Sequence, residues 1–155
     1  MKHKFSVKII LVISLIFIMT GCVGNLIKNR LRPPHEIDIS KYPGVIDSTA
    51  EINSTGKNIH YILFQYENKA AHYVNLAGNF NGWCGTKEYK RFDPSIGIMH
   101  DDDKDGIWEI VVPLPPGRYQ YKYVIDQGAS WVEDPNNPLK DFEEGIENSL
   151  LIVGD

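Results

Sequence analysis

The sequence predicts an all-β domain, a β-sandwich of about 100 residues, that follows an N-terminal signal peptide and a flexible linker. Short runs of aromatic and β-branched residues alternate with clusters of glycine, proline and asparagine. No segment shows the sustained 3.6-residue period of an amphipathic helix. A run of apolar residues close to the N-terminus predicts the signal peptide.

The first 21 residues have the three parts of a secretory signal. Lys2, Lys4 and Lys8 form a basic start, residues 9–19 are almost wholly apolar, and small residues precede Cys22. The apolar run is too short to span a bilayer. This pattern leaves open an ordinary cleaved signal or an uncleaved signal anchor.

The end of this segment, Ile18-Met19-Thr20-Gly21-Cys22, resembles the lipobox of bacterial lipoproteins. The resemblance implies cleavage before Cys22, a thioether-linked diacylglycerol on its sulfur, and fatty acyl groups such as palmitate. Because each buried CH₂ group contributes about 0.8 kcal/mol, two or three acyl chains form a stable anchor. We therefore expect a lipid-anchored membrane protein of the bacterial cell envelope that faces the periplasm or the cell surface.

Charge and cysteine content exclude two other classes of protein. Without the three lysines of the signal segment, the 16 basic residues fall to 13 against 20 acidic ones, a net charge of −7. So acidic a chain is not expected to bind nucleic acid. If Cys22 is lipidated, Cys84 has no intramolecular partner, which excludes a disulfide scaffold and favours a packed thiol over a reactive one.

Residues 22–57 are predicted to form the lipid-anchored linker. Prolines and loop-forming residues dominate this stretch, although Ile37 and Ile39 suggest a short edge strand. As a flexible coil, about 36 residues span roughly 35 Å on average, enough to hold a domain at residues 58–155 clear of a bilayer.

From residue 58 the pattern becomes that of strands, which we predict at residues 59–66, 73–77, 107–112, 118–126, 130–132 and 149–153. Pro113 and the prolines after it are predicted to end the third of these strands. Residues 126–128 are predicted to form a tight turn. Alternation places Trp108 on the core face and Lys122 on the opposite, outward face.

The segment Gly78-Asn79-Phe80-Asn81-Gly82-Trp83 follows a predicted strand and combines turn-forming residues with two large aromatic ones. Because glycine and asparagine tolerate positive φ angles, the backbone is predicted to bend sharply here. We expect Phe80 to anchor the turn in the core and Trp83 to face outward.

Five segments occur in an order that is typical of one family. They are Leu76–Trp83, Asp105–Glu109, Leu114–Asp126, Trp131 with Asp134-Pro135-Asn136, and Asn148-Ser149-Leu150. In this order they resemble the glycogen-binding domain of the AMP-activated protein kinase β subunit, a family 48 carbohydrate-binding module. The resemblance covers about two-thirds of the chain. It implies an immunoglobulin-like (early-set) β-sandwich without catalysis, because enzymes related to the family carry their catalysis on a separate barrel.

In that family two tryptophans stack on glucose rings, while a lysine and an asparagine hydrogen-bond the sugar hydroxyls. Carried over by position, the carbohydrate-binding residues are Trp83, Trp131, Lys122 and Asn148. The resemblance thus implies an α-1,4-glucan or glycogen-like polysaccharide or oligosaccharide as the partner. Buried core positions for both tryptophans and solvated positions for Lys122 and Asn148 are the alternatives.

One departure from the family bears on the site. The kinase subunits place a small apolar residue and a hydroxyl residue ahead of the asparagine, where this chain has Glu144 and Ile146. The change could weaken binding or alter the preferred sugar. The alternative function is an immunoglobulin-like interaction module that has lost sugar binding and docks another envelope protein.

Acidic residues suggest two further sites, neither of which we expect. Residues 101–106 have the D-x-D-x-D-G spacing of a calcium loop, but the twelfth position holds Val112 instead of glutamate. An exposed acidic turn is the simpler interpretation, and no metal or cofactor is predicted. A glycosidase needs two carboxylates across a cleft, which a small sandwich does not offer to Glu109, Glu133, Asp141, Glu143 and Glu144. No catalytic residue is predicted, and the protein is not expected to be an enzyme.

Overall fold

A computed structural model describes residues 31–41, 58–85 and 91–154. Almost all of them belong to one compact unit, Arg32–Asp155. The predicted signal peptide, Cys22 and most of the predicted linker lie outside the described residues. Within the described ranges, no helix has both the length and the apolar character needed to cross a membrane.

The described residues form two antiparallel sheets. Their strands are β1 (His35–Glu36), β2 (His60–Glu67), β3 (Val74–Gly78), β4 (Ile107–Leu114), β5 (Gly117–Ile125), β6 (Ser130–Val132), β7 (Lys140–Glu143) and β8 (Ile146–Val153). The first sheet has the order β1-β2-β4, and the second has the order β3-β5-β8-β7, with β6 also paired to β5. Short 3-10 turns lie at Ile39–Lys41, Asn79–Cys84 and Asp126–Gly128. The prediction of an all-β, immunoglobulin-like sandwich is confirmed.

One hydrophobic core lies between the sheets. Alternate residues of β2 and β4 meet alternate residues of β3, β5 and β8, and the buried members include Ile62, Phe64, Leu76, Ile110, Val112, Tyr121, Tyr123, Leu151 and Val153. Phe64 and Tyr121 meet edge to face across the two sheets, with ring centroids 5.1 Å apart. Because burying each large apolar side chain contributes about 1.5–3 kcal/mol, this layer provides the main stabilisation of the sandwich.

Strand β4 continues past the point where the sequence predicted its end. Pro113 lies inside the strand, buried and opposite Tyr61 of β2. At this residue β4 has a partner strand on one side alone, and an edge strand accommodates proline where the missing N–H would face away from its partner. The prediction that Pro113 ends the strand is wrong because an edge strand tolerates proline.

Two short strands at the margins differ from the sequence prediction. The edge strand expected at Ile37 and Ile39 lies slightly earlier, as β1, which pairs with Ile62 and Leu63 of β2. Strand β7 was not predicted, because Lys140–Glu143 is mostly charged and does not alternate. It forms by pairing with β8 across a two-residue turn at Glu144 and Gly145, whose φ angles of 50° and 82° suit a tight hairpin.

A buried carboxylate joins β5, β6 and β8 on the core side of the second sheet. Asp134 is 1% exposed. Its Oδ2 accepts a hydrogen bond of 2.7 Å from the Tyr121 hydroxyl and one of 3.3 Å from the Tyr123 hydroxyl. The Asp134 backbone N–H donates to Ser149 Oγ at 2.7 Å. These bonds hold the segment that follows β6 against β5 and β8.

The turn after β3 is closed by the side chain of Asn81. Asn81 Oδ1 accepts a hydrogen bond of 2.9 Å from the Gly78 N–H, and Asn81 Nδ2 donates one of 2.8 Å to the Leu76 carbonyl. Asn81 is buried, whereas Asn79 is exposed. Asn81 is therefore a structural brace of the turn as well as a turn-forming residue.

The same turn contains three consecutive residues with left-handed backbone angles. The φ angles are 61° at Gly82, 58° at Trp83 and 53° at Cys84. Phe80 packs against the core, with its ring centroid 6.1 Å from that of Phe64. The predicted sharp bend and the predicted anchoring of Phe80 are both confirmed.

We predict that the stability of the fold decreases above about pH 10. Burial, reinforced by the charge of Asp134, raises the pKa values of Tyr121 and Tyr123 above 10.0. A raised folded-state pKa gives a stabilising contribution that is complete below the unfolded-state pKa. It is lost as the pH rises further, by up to about 1.4 kcal/mol per pH unit for each tyrosine. Urea unfolding at about pH 8 and about pH 11 measures the change.

In the same experiment, Tyr123→Phe removes one of the two titrating hydroxyl groups. It should therefore reduce the loss of unfolding free energy between about pH 8 and about pH 11 by the contribution of one tyrosine. Tyr73→Phe, which alters an exposed ring, should leave the slope unchanged. Equal slopes for wild type and Tyr123→Phe would contradict this assignment.

We predict that Asn81→Ala destabilises the domain by about 2–3 kcal/mol, because it leaves the buried Gly78 N–H and Leu76 carbonyl without this partner. Asn79→Ala, at the exposed asparagine of the same turn, is the matched control and should change stability by less than about 0.5 kcal/mol. Urea unfolding measures both variants, and similar losses for the two would show that the Asn81 brace is unimportant.

Candidate functional site

The candidate site lies on the outer face of the second sheet, at a change of strand partner along β5. One edge of β5 pairs with β8 from Gly117 to Tyr121 and then with β6 from Tyr123 to Ile125. Lys122 lies between these two segments. Because side chains alternate across a strand, Tyr121 and Tyr123 point into the core and Lys122 points outward, as predicted.

A groove of about 490 Å³ opens at this junction. Its lining contains all four residues that the sequence predicted for carbohydrate binding, together with three residues from the β7–β8 hairpin: Trp83, Lys122, Trp131, Asn148, Glu143, Glu144 and Ile146. Four residues spread over 66 positions of the chain, from 83 to 148, are thus brought to one surface. The turn after β3 supplies Trp83, and β5, β6 and β8 supply one residue each.

The two tryptophans differ in how they are supported. Trp83 is half-buried and packs on a small second hydrophobic cluster formed by Ala77, Cys84 and Val124 on the outer face of the sheet. Trp131 is 39% exposed. Neither ring is buried in the core between the sheets, so the alternative that both are core aromatics is wrong.

Phe92 supports Trp131 from the side. The two rings meet edge to face, with centroids 5.9 Å apart and planes at 75°. Phe92 itself packs on the outer hydrophobic cluster that also supports Trp83. The two tryptophans therefore share one apolar base, directly in one case and through Phe92 in the other.

Lys122 makes an ion pair inside the groove. Its Nζ lies 3.1 Å from Glu133 Oε1, and its side chain is 12% exposed. The structure thus excludes the alternative of a freely solvated lysine. The ion pair holds the ammonium group at the base of the groove, where its remaining N–H donors can reach a ligand.

Asn148 is oriented by a hydrogen bond to the neighbouring strand. The side chain is 3% exposed, and its Nδ2 donates to Gln120 Oε1 at 2.8 Å. Gln120 lies on the same face of β5 as Lys122. With the amide nitrogen held in this way, Asn148 Oδ1 is the atom left to accept a hydrogen bond from a ligand.

The β7–β8 hairpin forms one wall of the groove. Glu143 and Ile146 are directly paired, so their side chains project on the same face as Asn148. Ile146 is 58% exposed. Glu144 occupies the tight turn itself and is exposed. The two residues that depart from the family pattern, Glu144 and Ile146, therefore lie in the groove.

Three residues around the site were not assigned a binding role from the sequence: Phe92, Gln120 and Glu133. Strand alternation alone would have placed Gln120 beside Lys122 and Glu133 beside Trp131. Phe92 carries no such signal, because residues 91–99 show no period and reach the groove through long-range contacts.

Several acidic residues outside the groove accept hydrogen bonds within the fold. The carboxylates of Asp101, Asp103 and Asp105 come within 4.8 Å of one another. Each also accepts a backbone N–H of its own loop, at 3.1, 3.3 and 2.8 Å respectively. Glu109 of β4 accepts a hydrogen bond from Gln65 of β2, which is its pairing partner within the first sheet. Of the five acids considered for a glycosidase, Glu109 lies in the first sheet, whereas the other four lie at or beside the groove: Glu133, Asp141, Glu143 and Glu144.

Cys84 and Trp108 occupy structural positions, as predicted. Cys84 is fully buried, with its sulfur 3.3 Å from the carbonyl oxygens of Leu76 and Ile96. Trp108 is half-buried against the core and donates its indole N–H to the Asn68 carbonyl at 3.0 Å. Cys22, the predicted lipidation site, lies outside the described part of the chain.

Comparisons with known proteins place this surface in context. Curated relatives include the chloroplastic protein FLOURY ENDOSPERM 6 of Oryza sativa subsp. japonica and the 5'-AMP-activated protein kinase subunit beta-2 of Homo sapiens. Each is 32% identical over 80 residues, or 52% of this chain. The matched segment covers 12% of the rice protein and 24% of the human subunit. This chain therefore resembles one part of much longer proteins.

Among solved structures, a maltogenic amylase from S. marinus superposes with a TM-score of 0.46 and 19% identity, over 63% of this chain and 14% of the amylase chain. The family described as the glycogen recognition site of AMP-activated protein kinase matches residues 60–155. That match extends over more than half of the chain and includes the whole groove. The chain therefore belongs to this family of glycogen-recognition domains, which are non-catalytic carbohydrate-binding modules.

Proposed function

We propose that the protein is a non-catalytic, membrane-anchored lipoprotein that binds α-1,4-linked glucan in the groove between Trp83 and Trp131. It would act by capture, holding a glucan near the membrane or near a partner enzyme or transporter. The observation that carries the proposal is the joint lining of one groove by Trp83, Trp131, Lys122 and Asn148.

The chemistry of the groove suits a sugar chain. A pyranose has an apolar C–H face that packs on an indole ring, and its hydroxyl groups need directional polar partners. Trp83 and Trp131 offer two rings in the lining of the groove, while Lys122 supplies N–H donors and Asn148 Oδ1 supplies an acceptor. A volume of about 490 Å³ lies within the range of about 300–1,000 Å³ that is usual for small-molecule sites.

The β7–β8 hairpin adjusts this site without blocking it. Ile146 adds exposed apolar surface to the wall of the groove, and Glu144 adds a carboxylate at its rim. Ile146 supplies no side-chain hydrogen bond, so the hydroxyl groups of the ligand depend on Lys122, Asn148 and the glutamates.

We predict that Trp83→Ala and Trp131→Ala each weaken binding to glycogen or amylopectin by about five- to 100-fold. The loss of one buried aromatic contact corresponds to about 1–3 kcal/mol. Native affinity electrophoresis in gels with and without polysaccharide measures the effect. Tyr73→Ala removes an exposed aromatic ring outside the groove, and it should be retarded like the wild type.

Equal mobility of the wild type in the presence and absence of polysaccharide would contradict the proposed binding. Stoichiometric recovery of one envelope protein in a pull-down, together with that result, would instead favour the immunoglobulin-like interaction module. Retardation that is lost equally in Tyr73→Ala would show that binding does not depend on this groove.

The membrane anchor rests on the sequence alone. The basic start, the apolar run and the lipobox-like Ile18–Cys22 support lipidation at Cys22 and a location in the bacterial cell envelope.

We predict that the full chain, expressed in a bacterium and labelled with radioactive palmitate, carries the label and partitions into the membrane fraction. Cys22→Ser should abolish both, since no sulfur remains for the diacylglycerol. Cys84→Ser changes the other cysteine and is the matched control, which should keep the label. Label retained in Cys22→Ser would rule out this anchor.

A further inference from the structure

The groove has an unbalanced charge. Among the described residues of its lining, Lys122 is the positively charged side chain, and it is already paired with Glu133 at 3.1 Å. Glu143 and Glu144 also line the groove, and both are exposed. Counting Glu133 with the lining, three carboxylates face one ammonium group, a formal charge of −2.

A second cation on the outer face of the sheet, Arg118, is also paired with a carboxylate. Arg118 Nη2 lies 3.1 Å from Asp141 Oδ2, and hydrogen bonds from the Phe142 N–H and from Arg118 hold the pKa of Asp141 below its usual value. Over the described residues, neither Glu143 nor Glu144 has an ion-pair partner. Among the described residues of the groove lining, the two carboxylates on the hairpin are thus the uncompensated charges.

We propose that this pair of carboxylates makes the groove select glucans by charge: it accepts neutral chains and rejects chains that carry phosphate or other anionic groups. This inference deepens the proposed function and rests on it. Glu143 and Glu144 act as specificity-determining residues, separate from the tryptophans that provide affinity.

The physical reason is the lack of a free counter-charge among the described residues that line the groove. A phosphate group carries about −1.5 to −2 charges near neutral pH. To bind here it must approach Glu143 and Glu144. The charge of the Lys122 ammonium is already balanced by Glu133, although its remaining N–H groups can still donate hydrogen bonds. A neutral glucan meets no such repulsion, and the carboxylates can accept hydrogen bonds from its hydroxyl groups. A chain that carries amino groups would gain attraction.

A matched set of ligands tests the proposal. The probes are maltoheptaose, the same oligosaccharide phosphorylated at a 6-position, and the same oligosaccharide with an amino group at a 6-position. Their dissociation constants are measured by calorimetry near neutral pH and low salt. We expect the phosphorylated probe to bind about three- to tenfold more weakly than the neutral one, since each of the two exposed carboxylates contributes up to about fivefold. The amino probe should bind at least as tightly as the neutral one.

The variants identify the groups responsible. Glu143→Gln combined with Glu144→Gln keeps the shape of both exposed side chains and removes their charge. We define the gap as the ratio of the dissociation constants of the phosphorylated and neutral probes. The double variant should narrow this gap by about three- to tenfold. Glu67→Gln, at an exposed glutamate of the first sheet, should leave the gap unchanged. Raising the salt to about 0.5 M should narrow it in the wild type.

Each failure has a distinct meaning. Equal binding of the neutral and phosphorylated probes overturns the charge selection and leaves the proposed glucan binding intact. If the two dissociation constants still differ as much in the double variant, Glu143 and Glu144 do not cause the rejection, and the proposal is overturned. If the neutral probe does not bind at all, both the charge selection and the proposed function fail.

Discussion

The site depends on a carboxylate that no ligand would touch. Asp134 accepts hydrogen bonds from Tyr121 and Tyr123, the two residues on either side of Lys122 in β5. A carboxylate buried in this way is strongly disfavoured unless its hydrogen-bond partners are present. The strands β5, β6 and β8 must therefore meet in the arrangement that supplies those partners. The same junction, seen from the outer face, is the base of the groove.

The inner face of the second sheet therefore stabilises the fold, and its outer face supports the groove. The inner face contributes tyrosines to the main core, while the outer face carries the small cluster of Ala77, Cys84 and Val124. This cluster is too small to stabilise a fold by itself. It provides a rigid support for two large rings, and Trp83 stays in a left-handed backbone conformation, at a cost of about 1–2 kcal/mol, because the Asn81 turn holds it there.

Strand alternation and turn chemistry predicted much of this arrangement. They placed Lys122 outward, Phe80 inward and the bend at residues 78–83 correctly, because each depends on local backbone geometry. They missed β7, whose charged residues become a strand only by pairing with β8, and they ended β4 too early, because an edge position for Pro113 is a property of the whole sheet. Phe92 and the Lys122–Glu133 pair result from contacts between separate segments, which one-dimensional patterns do not contain.

Pro113 has a further consequence for how copies of the protein behave beside one another. A sheet edge with regular N–H and C=O groups is a template for another strand, and tethering to a surface would raise the chance of such an encounter. The proline removes a donor from the β4 edge, and β7, at the margin of the other sheet, is four residues long and mostly charged. These two edges are therefore poor templates for strand addition, and neither β4 nor β7 invites a neighbouring copy to pair where it would crowd the groove.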